Sequence, residues 1–198
     1  MILAFDTSAS HCAAAVIRGD DVLASAEEPM SKGQAERLLG LCQDLLAQSG
    51  VAYGDLVAIG VGIGPGNFTG IRISVSAARG LALGLHIPAV GVSAFDALAY
   101  GQQGPCACTV DARREQVFLQ TFAQETNISP TLTDLASLPA FNGPLIGHTG
   151  QAPAKPAAVA IAHIAQMRFQ TETTRPAPLY LRPADAAPAR DTAPVLTS

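Results

Sequence analysis

Four groups of residues could do chemistry by their type and spacing. The run Asp6, Thr7, Ser8, Ala9, Ser10 pairs an acid with small hydroxyl residues. The stretch Gly64, Pro65, Gly66, Asn67, Phe68, Thr69, Gly70 gathers three glycines just ahead of Arg72. Asp111 opens the run Ala112, Arg113, Arg114, Glu115. The histidines (His11, His86, His148, His163) and cysteines (Cys12, Cys42, Cys106, Cys108) are the remaining candidates for metal ligation or nucleophilic attack.

The glycine stretch resembles a phosphate cradle only in part. Backbone N–H groups at a helix N-terminus favour anions, but a P-loop also needs a lysine after its last glycine, and none is present. The dinucleotide fingerprint fails too, because Gly64 and Gly66 are followed by Thr69 where a third glycine belongs. The glycines therefore read mainly as a tight strand-to-helix turn, with Thr69 placed to cap the helix. Arg72 falls in that helix's first turn, where the dipole disfavours a cation. It points either to a partner acid or anion, or to an arginine paired within its own chain or solvated. No two histidines lie within five residues of each other, so no helical pair of metal ligands is expected. No cysteines form a C-x-x-C pair, and none has an evident histidine and acid beside it. They read as small buried hydrophobes of a reducing cytosol.

The surrounding pattern supplies the elements that would position these residues. Three short apolar runs at residues 2–5, 12–17 and 22–26 are separated by turn-like breaks and predict an antiparallel meander. Residues 33–48 carry apolar side chains at helical spacing over an arc of roughly 160°, wider than one sheet contact requires. Gly50 ends that helix in a left-handed cap. A doubly apolar strand at 57–63 runs into the glycine stretch, and a helix follows to residue 85. Ser76, Gly80 and Gly84 form a stripe of small residues along that helix, and interior glycines cost about 1 kcal/mol each. Such a stripe is expected to accept another helix or strand. Pro88 separates the helix from a strand at 89–92, and Ser93 caps a helix to residue 100. Residues 101–105 read as a connection. A second strand set begins at 106–110, with Asp111 at its end as Asp6 ends the first, and returns at 117–122. Beyond that the pattern weakens to a strand at 145–146 and a helix at 157–169.

Composition bounds the class. The chain has 198 residues, 48% hydrophobic and 14% charged, enough to bury a core without disulfides or metal. It has no tryptophan and only 5% aromatics, so alanine and glycine must fill the interior and backbones must approach closely. A net charge of −4 with scattered cations argues against an unaided grip on nucleic acid. The longest apolar stretch, 80–95, is broken by His86 and Pro88 and too short to span a membrane. The N-terminus reads as a first strand rather than a signal peptide. A cytoplasmic location is expected.

Three antiparallel strands followed by parallel β-α units define an α/β fold, the ribonuclease-H-like lobe of the actin and hexokinase class. The expected organisation is an N-terminal lobe at 1–100, a reduced second lobe at 101–182, and a Pro-, Ala- and Thr-rich tail at 183–198. On this topology the chain resembles the TsaB family, which serves the bacterial installation of threonylcarbamoyl on tRNA adenosine. The resemblance rests on the opening Ile2, Leu3, Ala4, Phe5, Asp6, Thr7, Ser8. It rests also on the loop Gly64, Pro65, Gly66, Phe68, Thr69, Gly70, Arg72, on Val110, Asp111, Ala112, Arg113, Arg114, and on Pro178, Leu179, Tyr180, Leu181, Arg182. It is strong over residues 1–123. Asn67 stands where serine is expected.

The resemblance implies a non-catalytic partner of the paralogue TsaD, with TsaE completing the assembly and tRNA reached only indirectly. It implies a homodimer when the partner is missing. In ATP-using members of the class one hairpin per lobe clamps the phosphates, and the second needs glycine after its acid. Here that turn has none, so Asp6 and Asp111 read as vestiges, and neither cofactor nor metal is expected. The expected partner face combines Leu38, Leu41, Cys42 and Leu45 of the first helix with Ile73, Ser76, Ala77 and Gly80 of the second. The competing reading is a free-standing ATPase, kinase or peptidase-like enzyme of the same fold.

Overall fold

The computed structural model describes residues 1–123, 129–172 and 174–182. The expected tail at 183–198 lies outside them. Two sheets carry the architecture. The first holds β1 (Ile2–Asp6), β2 (His11–Arg18), β3 (Asp21–Pro29), β4 (Ala58–Gly62) and β5 (Ala89–Val92), in the order β3-β2-β1-β4-β5. β1, β2 and β3 pair antiparallel, whereas β4 joins β1 and β5 joins β4 in parallel. Helices α1 (Gln34–Gln48), α2 (Phe68–Leu85) and α3 (Ala94–Ala99) alternate with these strands as the sequence predicts. The second sheet is smaller, with β6 (Cys106–Asp111), β7 (Gln116–Phe122), β8 (Thr131–Asp134) and β9 (Leu145–Gly147) in the order β8-β7-β6-β9. This is a ribonuclease-H-like lobe beside a reduced counterpart, the actin and hexokinase arrangement.

The period of two along a strand separates two cores on the first sheet. Leu3 and Phe5 of β1 and Ile59 and Val61 of β4 face α1 and α2, where they meet Leu38, Leu41, Ile71 and Val75. Ile2, Ala4 and Ala58 face the other way onto α4 (Ala157–Arg168). That helix follows the second sheet in sequence, but it packs on β1, β2 and β4 of the first. Alanine makes this possible: Ala160, Ala162 and Ala165 lie against the strands, and a Cβ on Gly60 would come within 3.0 Å of both Ala165 and Ala4. Residues 158–165 are buried all round, so α4 carries no amphipathic stripe from which its neighbours could be read.

Two local readings change. The second helix starts at Phe68 rather than near Gly70, and its cap is Asn67, whose Oδ1 accepts from Gly70 N at 2.9 Å, not Thr69. The strand β8 had no signal, because Thr131, Leu132 and Asp134 are exposed at a sheet edge and obey no alternation. Ser93 caps α3 as expected, accepting from Asp96 N at 3.0 Å.

Candidate functional site

β1 delivers Asp6 to the C-terminal edge of the first sheet and buries it. Its oxygens are engaged locally. Oδ1 accepts from Ser8 N at 3.2 Å, and Oδ2 accepts from Ser8 Oγ at 2.9 Å while meeting His11 Nε2 at 2.9 Å. The other ring nitrogen of His11 lies 3.4 Å from Glu27 Oε1. Burial pulls the His11 imidazole down, but the Asp6 hydrogen bond and the charges of Asp6 and Glu27 outweigh it and hold the ring above its ordinary value. The sequence analysis does not foresee this pairing of His11 with Asp6. Its only signal is its place at the first position of β2, opposite the end of β3.

The glycine loop is built against this hairpin. A Cβ on Gly62 would strike the Asp6 carboxylate, one on Gly66 the Ser8 carbonyl oxygen, and one on Gly70 the Thr7 carbonyl oxygen. Asn67 N donates to Ser8 O at 2.6 Å, and the Thr7 hydroxyl donates to Gly70 O at 2.7 Å. The glycines therefore serve close packing of two chain segments, as the turn reading predicts. Gly64 adds a φ of 89°, and the Gly64–Pro65 peptide is cis.

Arg72 is paired within the chain. Its guanidinium lies 4.0 Å from the centre of the Phe68 ring, and its Nε donates to the Tyr180 hydroxyl at 2.9 Å. Phe68 and Tyr180 stack with centroids 4.9 Å apart. Cation–π contact and a phenol acceptor thus take the place of the acid or anion that the helix position suggested. The partner is 108 residues away, and nothing local in the sequence signals it.

The second hairpin differs from the first. Asp111 is exposed; its Oδ1 accepts from Arg113 N at 2.8 Å and lies 4.0 Å from His148 Nε2. Arg113, Arg114 and Glu115 adopt φ of 60°, 54° and 57°, three successive left-handed residues with side chains. Arg182 closes on the same turn, donating to Ala112 O at 3.1 Å and to Gln116 Oε1.

A cleft of about 880 Å³ lies between the two sheets. It brings together Asp6, Pro65, Gly66, Phe68, Thr69 and Asp111, and adds His11, His148, Lys155 and Arg182, which sequence reading had not placed there. Gly64, Gly70 and Arg72 are not part of its lining.

The expected partner face is corrected on α1. Leu38, Leu41, Cys42 and Leu45 are between 0% and 3% exposed and belong to the core under the first sheet. The wide apolar arc of this helix is spent on β2, β3 and α2. Ala35 and the half-exposed Leu39 remain outside. On α2 the picture differs. Ile73 and Ala77 pack partly against the core, Ser76 and Gly80 are exposed, and Leu83, unforeseen, is 75% exposed. Among the described residues, nothing beyond the helix's own neighbouring backbone lies within 4 Å of a Cβ placed on Gly80 or Gly84, so no other described element covers the small-residue stripe.

Among the described residues, no group of three or more His, Cys, Asp and Glu is placed to hold a metal ion. None of their helices is long and apolar enough to cross a membrane. All four cysteines are buried and unpaired. Burial, with the Glu28 charge, pushes the Cys12 thiol up to about 11.

Comparison with known proteins places this geometry. A family profile described as "TsaD: tRNA N6-adenosine threonylcarbamoyltransferase" matches residues 27–179. The tRNA threonylcarbamoyladenosine biosynthesis protein TsaB of Escherichia coli is 34% identical over 131 residues, covering 64% of this chain and 56% of that protein. The chain thus spans little more than half the length of such curated relatives. An uncharacterised Mycobacterium tuberculosis protein is 28% identical over 202 residues, with 94% of each chain covered. The solved structure of YeaZ from Pseudomonas aeruginosa superposes with a TM-score of 0.72 at 27% identity, over 91% of this chain and 99% of that one. The profile covers well over half of the chain, and TsaB proteins of several bacteria are similar to it: this chain belongs to the TsaD family.

Proposed function

We propose that this chain is a non-catalytic subunit that binds and activates TsaD in threonylcarbamoylation of the tRNA adenosine next to the anticodon, for codons beginning with A. The observation that carries the reading is the uncovered face of α2. Leu83 stands three-quarters exposed beside Ser76, Gly80 and Gly84, and no other described segment of the chain lies over Gly80 or Gly84. A smooth apolar helix face of this kind fits a helix of a partner of like fold, and a second copy of the chain would take that place when the partner is missing. The two hairpins support a non-catalytic role. Asp6 is committed to Ser8 and His11, and the lobe-two turn carries side chains where a glycine would let backbone approach a phosphate. With a net charge of −4, tRNA would be held by other subunits, with TsaE completing the assembly in the cytoplasm.

The test is analytical ultracentrifugation of the purified chain, alone and mixed with TsaD of the same organism, alongside a threonylcarbamoylation assay with and without the chain. A homodimer that converts to a heterodimer and stimulates transfer is the expected result. A chain that ignores TsaD overturns the reading. The cleft itself favours a second reading, a free-standing ATP-binding enzyme, since it joins both strand-end acids in about 880 Å³. Micromolar ATP·Mg binding with turnover by the isolated chain would select it.

A further inference from the structure

The extended segment 176–182 makes contact after contact along a path from one lobe to the other. Pro176 lies on β5, its Cβ 3.2 Å from where a Cβ on Gly91 would stand. Leu179 N donates to Ile63 O at 2.8 Å, extending the edge where β4 ends. Tyr180 stacks on Phe68 and accepts from Arg72, both in the first turns of α2. Leu181, the next residue, packs into the second lobe's core with Cys106, Cys108, Phe118 and Ile146. Arg182 then holds the lobe-two turn through Ala112 O and Gln116. Adjacent residues are thus anchored in different lobes.

Such a segment can transmit restraint only if it is stiff. Pro176 and Pro178 fix their own φ and push Arg175 and Ala177 towards extended backbone, so little slack lies between the anchors. Extended chain covers about 3.3 Å per residue, so the step from Tyr180 to Arg182 leaves no room for the lobes to part without breaking an anchor. The same residues, Leu179 to Arg182, line the cleft. The chain also crosses between the lobes at two other places: through α3, which packs on β6 and β9 and contributes Ala94, Ala97 and Leu98 to the cleft, and through residues 148–156, which lead from β9 to α4 on the first sheet.

We infer that residues 176–182 are a latch that fixes the opening of the interlobe cleft, with Tyr180 as its lobe-one anchor and Arg182 as its lobe-two anchor. The fold then works as one rigid body, and α2 keeps a set orientation relative to the second lobe. Release of either anchor frees the lobes to rock about the two remaining crossings, α3 and the segment from β9 to α4.

Electron-spin distance measurement on the full chain tests this. Labels go on cysteines introduced at the exposed positions Ser10 and Thr131, one per lobe; the four natural thiols are buried. The parent chain should give one narrow distance distribution. Tyr180→Ala and Arg182→Met should each widen it and shift it to longer distances, with far-ultraviolet circular dichroism unchanged. An unaltered narrow distribution in both folded variants overturns the latch. Should either variant lose its fold, Tyr180→Phe, which keeps the stack and removes only the hydroxyl, is expected to widen the distribution to a smaller degree. No widening there either would overturn the inference.

Discussion

Thr7 and Gly70 meet across 63 residues of chain: the Thr7 side-chain hydroxyl donates to the Gly70 carbonyl at 2.7 Å, and the Thr7 carbonyl oxygen occupies the space a Cβ on Gly70 would need. The contact seats the start of α2 directly on the hairpin that follows β1. Gly70→Ala must therefore displace backbone, not a flexible side chain, and should destabilise the chain by about 2 kcal/mol or more. Gly80→Ala, on the same helix with open space around it, should stabilise by about 1 kcal/mol. Urea denaturation of the two variants gives opposite shifts of midpoint if the packing role of the loop glycine is right.

The division of α1 and α2 into core and surface makes a second pair. Gly80→Leu fills a site with no neighbour from elsewhere among the described residues, so the variant should fold normally and lose association with itself and with TsaD. Leu41→Asp places an unpaired charge where Leu41 is 2% exposed and should unfold the protein. Sedimentation together with circular dichroism separates the outcomes. Normal association of Gly80→Leu would remove α2 from the interface.

His11 gives a pH dependence with a defined sign. Its folded value is raised, because the Asp6 bond and the Asp6 and Glu27 charges outweigh burial. The stabilisation is therefore fully present below the ordinary value of 6.5 and is lost as pH rises through the raised folded value. His11→Gln should cost most at about pH 5.5, which is still above the usual carboxylate range, and progressively less towards about pH 8.5. Denaturation midpoints of parent and variant across that range check it. A difference independent of pH would mean that the ring is not protonated in the folded state.

The succession of strands and helices through α3 and the turn role of the glycines were legible because each is a local signal: alternation, helical spacing, a cap, a chain break. The fate of the apolar arc on α1 was not. Leu38, Leu41, Cys42 and Leu45 look the same whether they face a partner or β2 and α2 of their own chain, and only the packing distinguishes these. Arg72 posed a question that its own surroundings could not answer, since Tyr180 lies 108 residues on. The placement of α4 was hidden for a different reason. A helix buried all round has no polar face to mark its outside, and small residues at Gly60, Ala4 and Ala165 give no directional pattern. In the cleft, Asp6 and Asp111 were legible as strand ends, whereas His11 and His148 reach them only through tertiary structure.

The cysteines yield a prediction about reactivity. Thiolate is the reactive form, and burial opposes its formation. Cys12 is pushed up to about 11 and Cys42 to about 12, with burial the main cause in each, and burial raises Cys106 and Cys108 as well. The native protein should show none of its four thiols to Ellman's reagent at neutral pH and all four in denaturant. Rapid labelling of one thiol in the native state would point to an opening that the packing does not contain.

The turn from Arg113 to Glu115 holds three side-chain-bearing residues at positive φ, each at a cost of about 1–2 kcal/mol. The chain keeps that conformation because its neighbours require it: Asp111 binds Arg113 N, Gln116 N returns to Arg113 O, and Leu135 N donates to Glu115 O. Glu115→Gly should relieve part of the strain. Its gain is reduced by the extra freedom of glycine in the unfolded chain, leaving a net stabilisation of about 0.5 kcal/mol. Glu115→Val places a β-branched residue at φ 57° and should cost about 1–2 kcal/mol beyond the parent. Thermal denaturation of the two variants ranks glycine above glutamate above valine. Should valine prove as stable as glycine, Glu115 does not hold the left-handed conformation in solution, and the turn would be free to present backbone to the cleft.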